Sequence, residues 1–129
     1  MQPSRAENII GNFKHVESWR EVGEADNPGF ASSWINYGSG FNSAAFYRDP
    51  FGVVHLKGLV KNGTVGSAQT IFTLPANYIP TDRYMFDAVS YDGAAYVQGR
   101  VDILNDGRVV PITGHTTYIS LDGISFRAA

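Results

Sequence analysis

Asp49-Pro50-Phe51-Gly52-Val53-Val54-His55-Leu56-Lys57-Gly58-Leu59-Val60 is a turn that feeds a strand. Asp49 can cap its own turn, Pro50 pre-sets φ at the second position, and Gly52 tolerates the geometry of the fourth. Eight residues rich in β-branched and aliphatic side chains follow. Val54, Leu56, Gly58 and Val60 fall on one face, and Val53, His55, Lys57 and Leu59 on the other. One face is apolar, as in a half-buried strand.

The same pattern of turn and short alternating run continues outward in both directions. Upstream, strands are expected over 30–37 and 41–48, separated by Gly38-Ser39-Gly40. Downstream they are expected over 69–74, 83–91, 95–104, 108–112, 116–121 and 123–127. Asp92-Gly93 and Asn105-Asp106-Gly107 carry hairpin chemistry, and the two prolines of 75–80 exclude a central strand there. The spacing predicts an all-β fold, an antiparallel, jelly-roll-like β-sandwich of about eight short strands.

Composition fits that class. Charged residues make up 17% of the 129, below the usual ~25%, beside 14 Gly, 7 Tyr and 8 Phe. The net charge of −2 gives no footprint for nucleic acid or an anionic membrane. No apolar run reaches the ~20 residues of a spanning helix, and Met-Gln-Pro-Ser does not open a signal peptide, so no membrane insertion is expected. Cysteine is absent, which removes disulfides and thiolate chemistry.

Charge placement separates two regimes. All four glutamates lie in the first 24 residues, whereas every acid after Ala31 is an aspartate. Glu favours helices and Asp favours turns. Residues 1–27 therefore form an N-terminal arm, and 28–129 the β-sandwich domain. In the arm, Ile9, Phe13, Val16 and Trp19 have roughly helical spacing, interrupted by Gly11. Two readings stand: the end of a self-associating shaft, or a partly ordered arm.

Catalytic chemistry finds little support. His15, His55 and His115 have no metal-ligand spacing between them, so no metal or cofactor is expected. Nucleophile-elbow, P-loop and dinucleotide motifs are missing. Five of the seven body aspartates occupy turn or loop positions. The other two, Asp87 and Asp102, fit ion pairs with Arg83 or Arg100 better than a glycosidase pair. A non-enzymatic protein is expected.

Aromatic residues at turns point elsewhere. Tyr91 and Tyr96 flank Asp92-Gly93, Tyr78 lies between two prolines, and Tyr37 precedes a glycine turn. Flat rings stack on the C–H faces of sugars, and nearby Asn, Asp and Gln read hydroxyls. Tyr91, Asp92, Tyr96, Tyr78 and Gln98 are the candidate glycan-binding residues. The competing reading makes several of these rings core or subunit contacts.

Several blocks carry a resemblance. They are Phe30–Gly38, Tyr47–Val60, the run Ile71-Phe72-Thr73-Leu74-Pro75-Ala76-Asn77-Tyr78-Ile79-Pro80, Arg100–Ile103 and Ser120–Phe126. Together, over about residues 19–129, the chain resembles the C-terminal tip domain of tailed-phage tail-fibre or receptor-binding proteins, also found in prophages and phage-like particles. Asn77 departs from the pattern, where a glycine usually follows Pro-Ala; Asn is the best replacement for Gly at positive φ. The resemblance implies a small sandwich at the end of a fibre in the virion tail, usually a homotrimer. Such a domain touches a host cell-surface polysaccharide and joins other tail or fibre proteins through its N-terminal arm. It transfers no defined binding residue. A structural or decoration subunit without a receptor is the alternative.

Overall fold

The computed structural model describes residues 16–129. Eleven strands pair throughout in antiparallel fashion. They are β1 (Arg20–Glu21), β2 (Ile35–Asn36), β3 (Ala45–Arg48), β4 (Val53–Lys57), β5 (Leu59–Lys61), β6 (Phe72–Thr73), β7 (Tyr84–Tyr91), β8 (Tyr96–Ile103), β9 (Arg108–Thr113), β10 (Tyr118–Ser120) and β11 (Ser125–Arg127). A four-stranded sheet runs β1-β3-β4-β11, and a seven-stranded sheet runs β2-β5-β10-β7-β8-β9-β6. No helix occurs among the described residues. The all-β sandwich expected from the alternation is the fold observed.

The strand count exceeds the expected eight chiefly for two reasons. The arm contributes β1, which pairs Arg20 with Phe46 and Glu21 with Ala45. The run 53–60 also divides at Gly58, so β4 belongs to the small sheet and β5 to the large one. Gly58 has φ 128°, and a Cβ there would collide with the backbone of Ala44. Only glycine can turn this corner. Asp122 Oδ1 accepts from Gly58 N at 2.8 Å, and Leu121 N donates to Gly58 O at 2.7 Å. The crossing from β10 to β11 therefore docks on the crossing from β4 to β5.

The expected strand over 30–37 shrinks to β2, because Ser32 and Ser33 adopt φ 51° and 66° and form a turn. That turn sends Trp34 inward, where it is 1% exposed and its Nε1 donates to Thr64 O at 3.2 Å. Phe46 of the small sheet stacks on Phe72 of the large one at 5.8 Å. Val54, Leu56, Val60, Val101, Ile103 and Ile119 complete the centre of the core. The turn before β4 forms as expected. Asp49 Oδ1 accepts from Phe51 N and Val53 N, and Gly52 sits at φ 84°. Asn77 takes φ 77°, the backbone region in which it replaces glycine.

Of the arm residues with helical spacing, Ile9 and Phe13 lie outside the described residues. Val16 and Trp19 carry no regular secondary structure.

Replacing Gly58 by alanine is expected to destabilise the fold by about 3 kcal/mol, since backbone strain and overpacking act together. That lowers Tm by roughly 10 °C for a domain of this size. Gly123→Ala, where φ is 82° but a Cβ meets open space, should cost only about 1 kcal/mol. Thermal unfolding of both variants, followed by circular dichroism, separates the collision from the strain.

Candidate functional site

The outward face of the large sheet gathers tyrosines from four places in the chain. Strand alternation sets which rings face out. Ser90 and Ile119 point into the core, so their neighbours Tyr91 and Tyr118 point away from it. The register places Tyr91 opposite both Tyr96 on β8 and Tyr118 on β10. The rings meet in sequence. Tyr96 lies edge-on to Tyr91 at 5.3 Å, and Tyr91 stacks on Tyr118 at 5.4 Å with planes 17° apart. Tyr118 meets Tyr37 edge-on at 5.4 Å, Tyr37 meets Phe41 at 5.7 Å, and Lys61 Nζ stands 5.2 Å from the Tyr37 centroid.

Tyr96 is 75% exposed at the end of this row, and Tyr91 is half-buried. Burial among the rings, and next the neighbouring Tyr96 hydroxyl, hold the Tyr118 phenol above its ordinary pKa. It therefore stays neutral through the physiological range and can donate a hydrogen bond.

Asp92 builds the tip beside the row. Its Oδ1 accepts from Ala94 N and Ala95 N, both at 2.8 Å, and these bonds hold the carboxyl below its ordinary pKa. The connection opens to four residues, 92–95, where the tight Asp92-Gly93 turn was expected, because Tyr91 pairs directly with Tyr96. The loop of His115 and Thr117 lies alongside. His115 contributes to the lowered pKa of Asp92, and the buried Ser90 hydroxyl fixes the loop by accepting from His115 N at 2.9 Å and donating to Tyr118 O at 2.8 Å. Gln98 lies on the same outward face, two positions along β8 from Tyr96, and is exposed.

The structure thus brings Tyr91, Asp92, Tyr96 and Gln98 onto one surface. Tyr78 sits elsewhere: it is 8% exposed and edge-on to Phe46 at 5.1 Å. Its hydroxyl donates to Glu17 at 2.7 Å and accepts from Arg20 at 3.1 Å. Among the described residues it makes no ring contact or hydrogen bond with the tyrosine row. Tyr118 was missed by sequence reasoning and Tyr37 was noted only as a ring preceding a glycine turn. The alternation of 116–121 is the one signal that puts Tyr118 on an outward face.

Of the histidines, His15 lies outside the described residues. His55 pairs with Asp49 at 2.9 Å and stacks on Tyr47. Asp102 is fully buried on the outward side of β8 and is ion-paired by Arg83 at 2.6 Å and Arg100 at 2.9 Å. Burial alone would raise its pKa, but the hydrogen bonds and charges of Arg100 and Arg83 outweigh that and lower it. This is the ion pairing that the sequence suggested.

No protein-family model and no curated protein matches the chain. Among solved structures, the receptor binding protein (gp15) of Listeria phage PSA superposes with a TM-score of 0.69 at 18% identity. The match covers 96% of this chain and 73% of that one. The two share a fold.

Because the Asp102 pKa is lowered by folding, its contribution to stability is complete above the unfolded carboxylate pKa of about 3.9 and lost as pH falls below it. Asp102→Asn should cost about 2 kcal/mol at pH 7, since a buried partner of two arginines is neutralised. Urea midpoints measured at pH 7 and near pH 3 should show the wild-type advantage shrinking in acid.

Proposed function

We propose that this chain is the receptor-binding tip domain of a tailed-phage tail fibre, attaching the particle to a host cell-surface glycan. The observation that carries this reading is the row of five rings from Tyr96 to Phe41 on an outward sheet face. Each ring's orientation is set by its neighbour, so little conformational entropy is lost when a sugar stacks on the row. Phenol hydroxyls, Gln98 and the free side of the Asp92 turn supply hydrogen-bonding groups around it. The shared fold with a phage receptor binding protein supports the same reading, as do the sequence blocks that resemble tail-fibre tips.

In this proposal residues 28–129 form the tip, and the arm through residue 27 links it to other tail or fibre proteins. The domain assembles as a homotrimer in the virion tail and performs no catalysis. Three weak sites on one trimer, repeated over several fibres, give avidity that no single site supplies.

A second reading has a specific observation behind it. Met85 and Val89 are exposed on the same outward face as the tyrosine row. Apolar side chains in that position also suit contact between subunits of a decoration protein that has no receptor.

Binding of the purified full chain to host cells, or to a glycan array, tests the proposal. Tyr96→Ala should reduce adhesion at least tenfold while leaving stability within about 0.5 kcal/mol, as for an exposed side chain. Tyr91→Ala should lose adhesion and also about 1 kcal/mol of ring packing. Blank arrays together with a mass shift on Tyr96→Ala in light scattering would favour the subunit contact.

A further inference from the structure

The small sheet has an outward face of its own, and it carries a second aromatic surface. Tyr47 and His55 are cross-strand partners on β3 and β4, flanked by the core residues Phe46, Val54 and Leu56, so both rings point outward. They stack at 4.8 Å with planes 17° apart. His55 is held in turn by Asp49, whose carboxylate is fixed by Phe51 N and Val53 N. Trp19, in the segment leading into β1, lies edge-on to Tyr47 at 4.6 Å and remains 41% exposed. Lys57 Nζ stands 5.4 Å from its ring centroid and 3.5 Å from Glu21.

These rings line a cleft of about 550 Å³. The lining also includes the polar residues Asn42, Asp122 and Ser125, beside Leu56 and Ile124. Asn42 Nδ2 donates to Asp122 Oδ1 at 3.1 Å, and the same oxygen accepts from Gly58 N, so the pair is anchored to the corner between the sheets. Among the described residues, Asn42 Oδ1 and Asp122 Oδ2 make no hydrogen bond. Asn42 and Asp122 thus add acceptor groups to the lining that the three rings share.

We infer that this cleft is a second carbohydrate site, distinct from the tyrosine row, taking an uncharged pyranose ring. Trp19 offers the stacking surface for a C–H face, and the Asn42–Asp122 pair accepts from vicinal hydroxyls. An anionic ligand fits less well: Lys57 is balanced by Glu21, and Asp122 stands in the cleft itself, so no positive excess attracts phosphate. The polar lining residues also disfavour a purely apolar segment. As a receptor contact the site rests on the proposed glycan-attachment role, but sugar binding in the cleft is tested without it.

The two tryptophans make the test selective. Trp34 is 1% exposed and hydrogen-bonded beneath a loop, so a ligand-dependent change in tryptophan emission reports Trp19. The full chain is titrated with methyl α- and β-glycopyranosides of glucose, galactose, N-acetylglucosamine and rhamnose. A saturable emission change is expected with at least one of them. Saturation-transfer NMR with that glycoside should fall at least tenfold in Trp19→Ala and Tyr47→Ala and persist in Tyr96→Ala. No saturable change with any glycoside overturns the inference. So does transfer that survives Trp19→Ala, or that is lost in Tyr96→Ala. Saturable binding at Trp19 in a protein that adheres to no cell sustains this site and defeats the attachment reading instead.

Discussion

At Gly58 the chain passes from the small sheet directly into the large one. The chain passes from β4 to β5 across a single residue at φ 128°, with the Ala44 backbone packed where a side chain would be. Its N–H and C=O are both taken by the crossing from β10 to β11, at Asp122 and Leu121. The β4–β5 and β10–β11 passages between the sheets thus brace each other, while Phe46 on Phe72 joins the sheets through the middle of the core. With both ties in place the sheets cannot slide. Every ring on either outward face then has a fixed position relative to the rest, which a display surface needs and a hinge would destroy.

Local chemistry made much of this fold legible. Asp49 to Gly52, Asp92-Gly93 and Asn105-Asp106-Gly107 are turns because Asp and Asn bond their own backbone and Gly takes positive φ, and those interactions act within four residues. Long alternating runs such as 84–91 and 96–103 were visible for the same reason. The corner at Gly58 was not, because Val54, Leu56 and Val60 face the core whether the strand continues or changes sheet. Alternation reads burial; it does not read which layer buries the residue. Ser32 and Ser33 misled in the opposite direction, since serine at positive φ gives no compositional signal. Strand β1 is too short for any periodicity and forms only because β3 offers it an edge.

The candidate surface divides along the same line. Tyr91, Asp92 and Tyr96 are close in sequence and could be grouped by reading along the chain. Tyr118 and Tyr37 join them only through the register of β10 with β7 and of β5 with β10 and β2, pairings between distant segments. Tyr78 looked like a loop aromatic because prolines flank it. Its ring belongs to the core, and its hydroxyl is satisfied by Glu17 and Arg20, residues of an arm that composition alone sets apart from the body. Trp19 drew notice only as part of a helical spacing, since its partners Tyr47 and Lys57 are reached through the sheet.

Exposed rings are expensive on a soluble surface unless they also stabilise it. Here the stacks do both: each cross-strand aromatic pair contributes about 0.5–1.5 kcal/mol beyond its buried area, and the same packing fixes the rings before any ligand arrives. A stacked row is therefore pre-organised by the interaction that offsets its exposure. The two aromatic surfaces belong to different sheets, and the far end of the row, Phe41, is the chain neighbour of Asn42 in the cleft lining. If both bind sugar as proposed, each domain offers two contacts to a surface polysaccharide, and the gain in avidity depends on glycan density as well as on the affinity of either site. Such a domain would discriminate between cells by how closely their sugars are spaced, a property that an isolated glycoside cannot reveal.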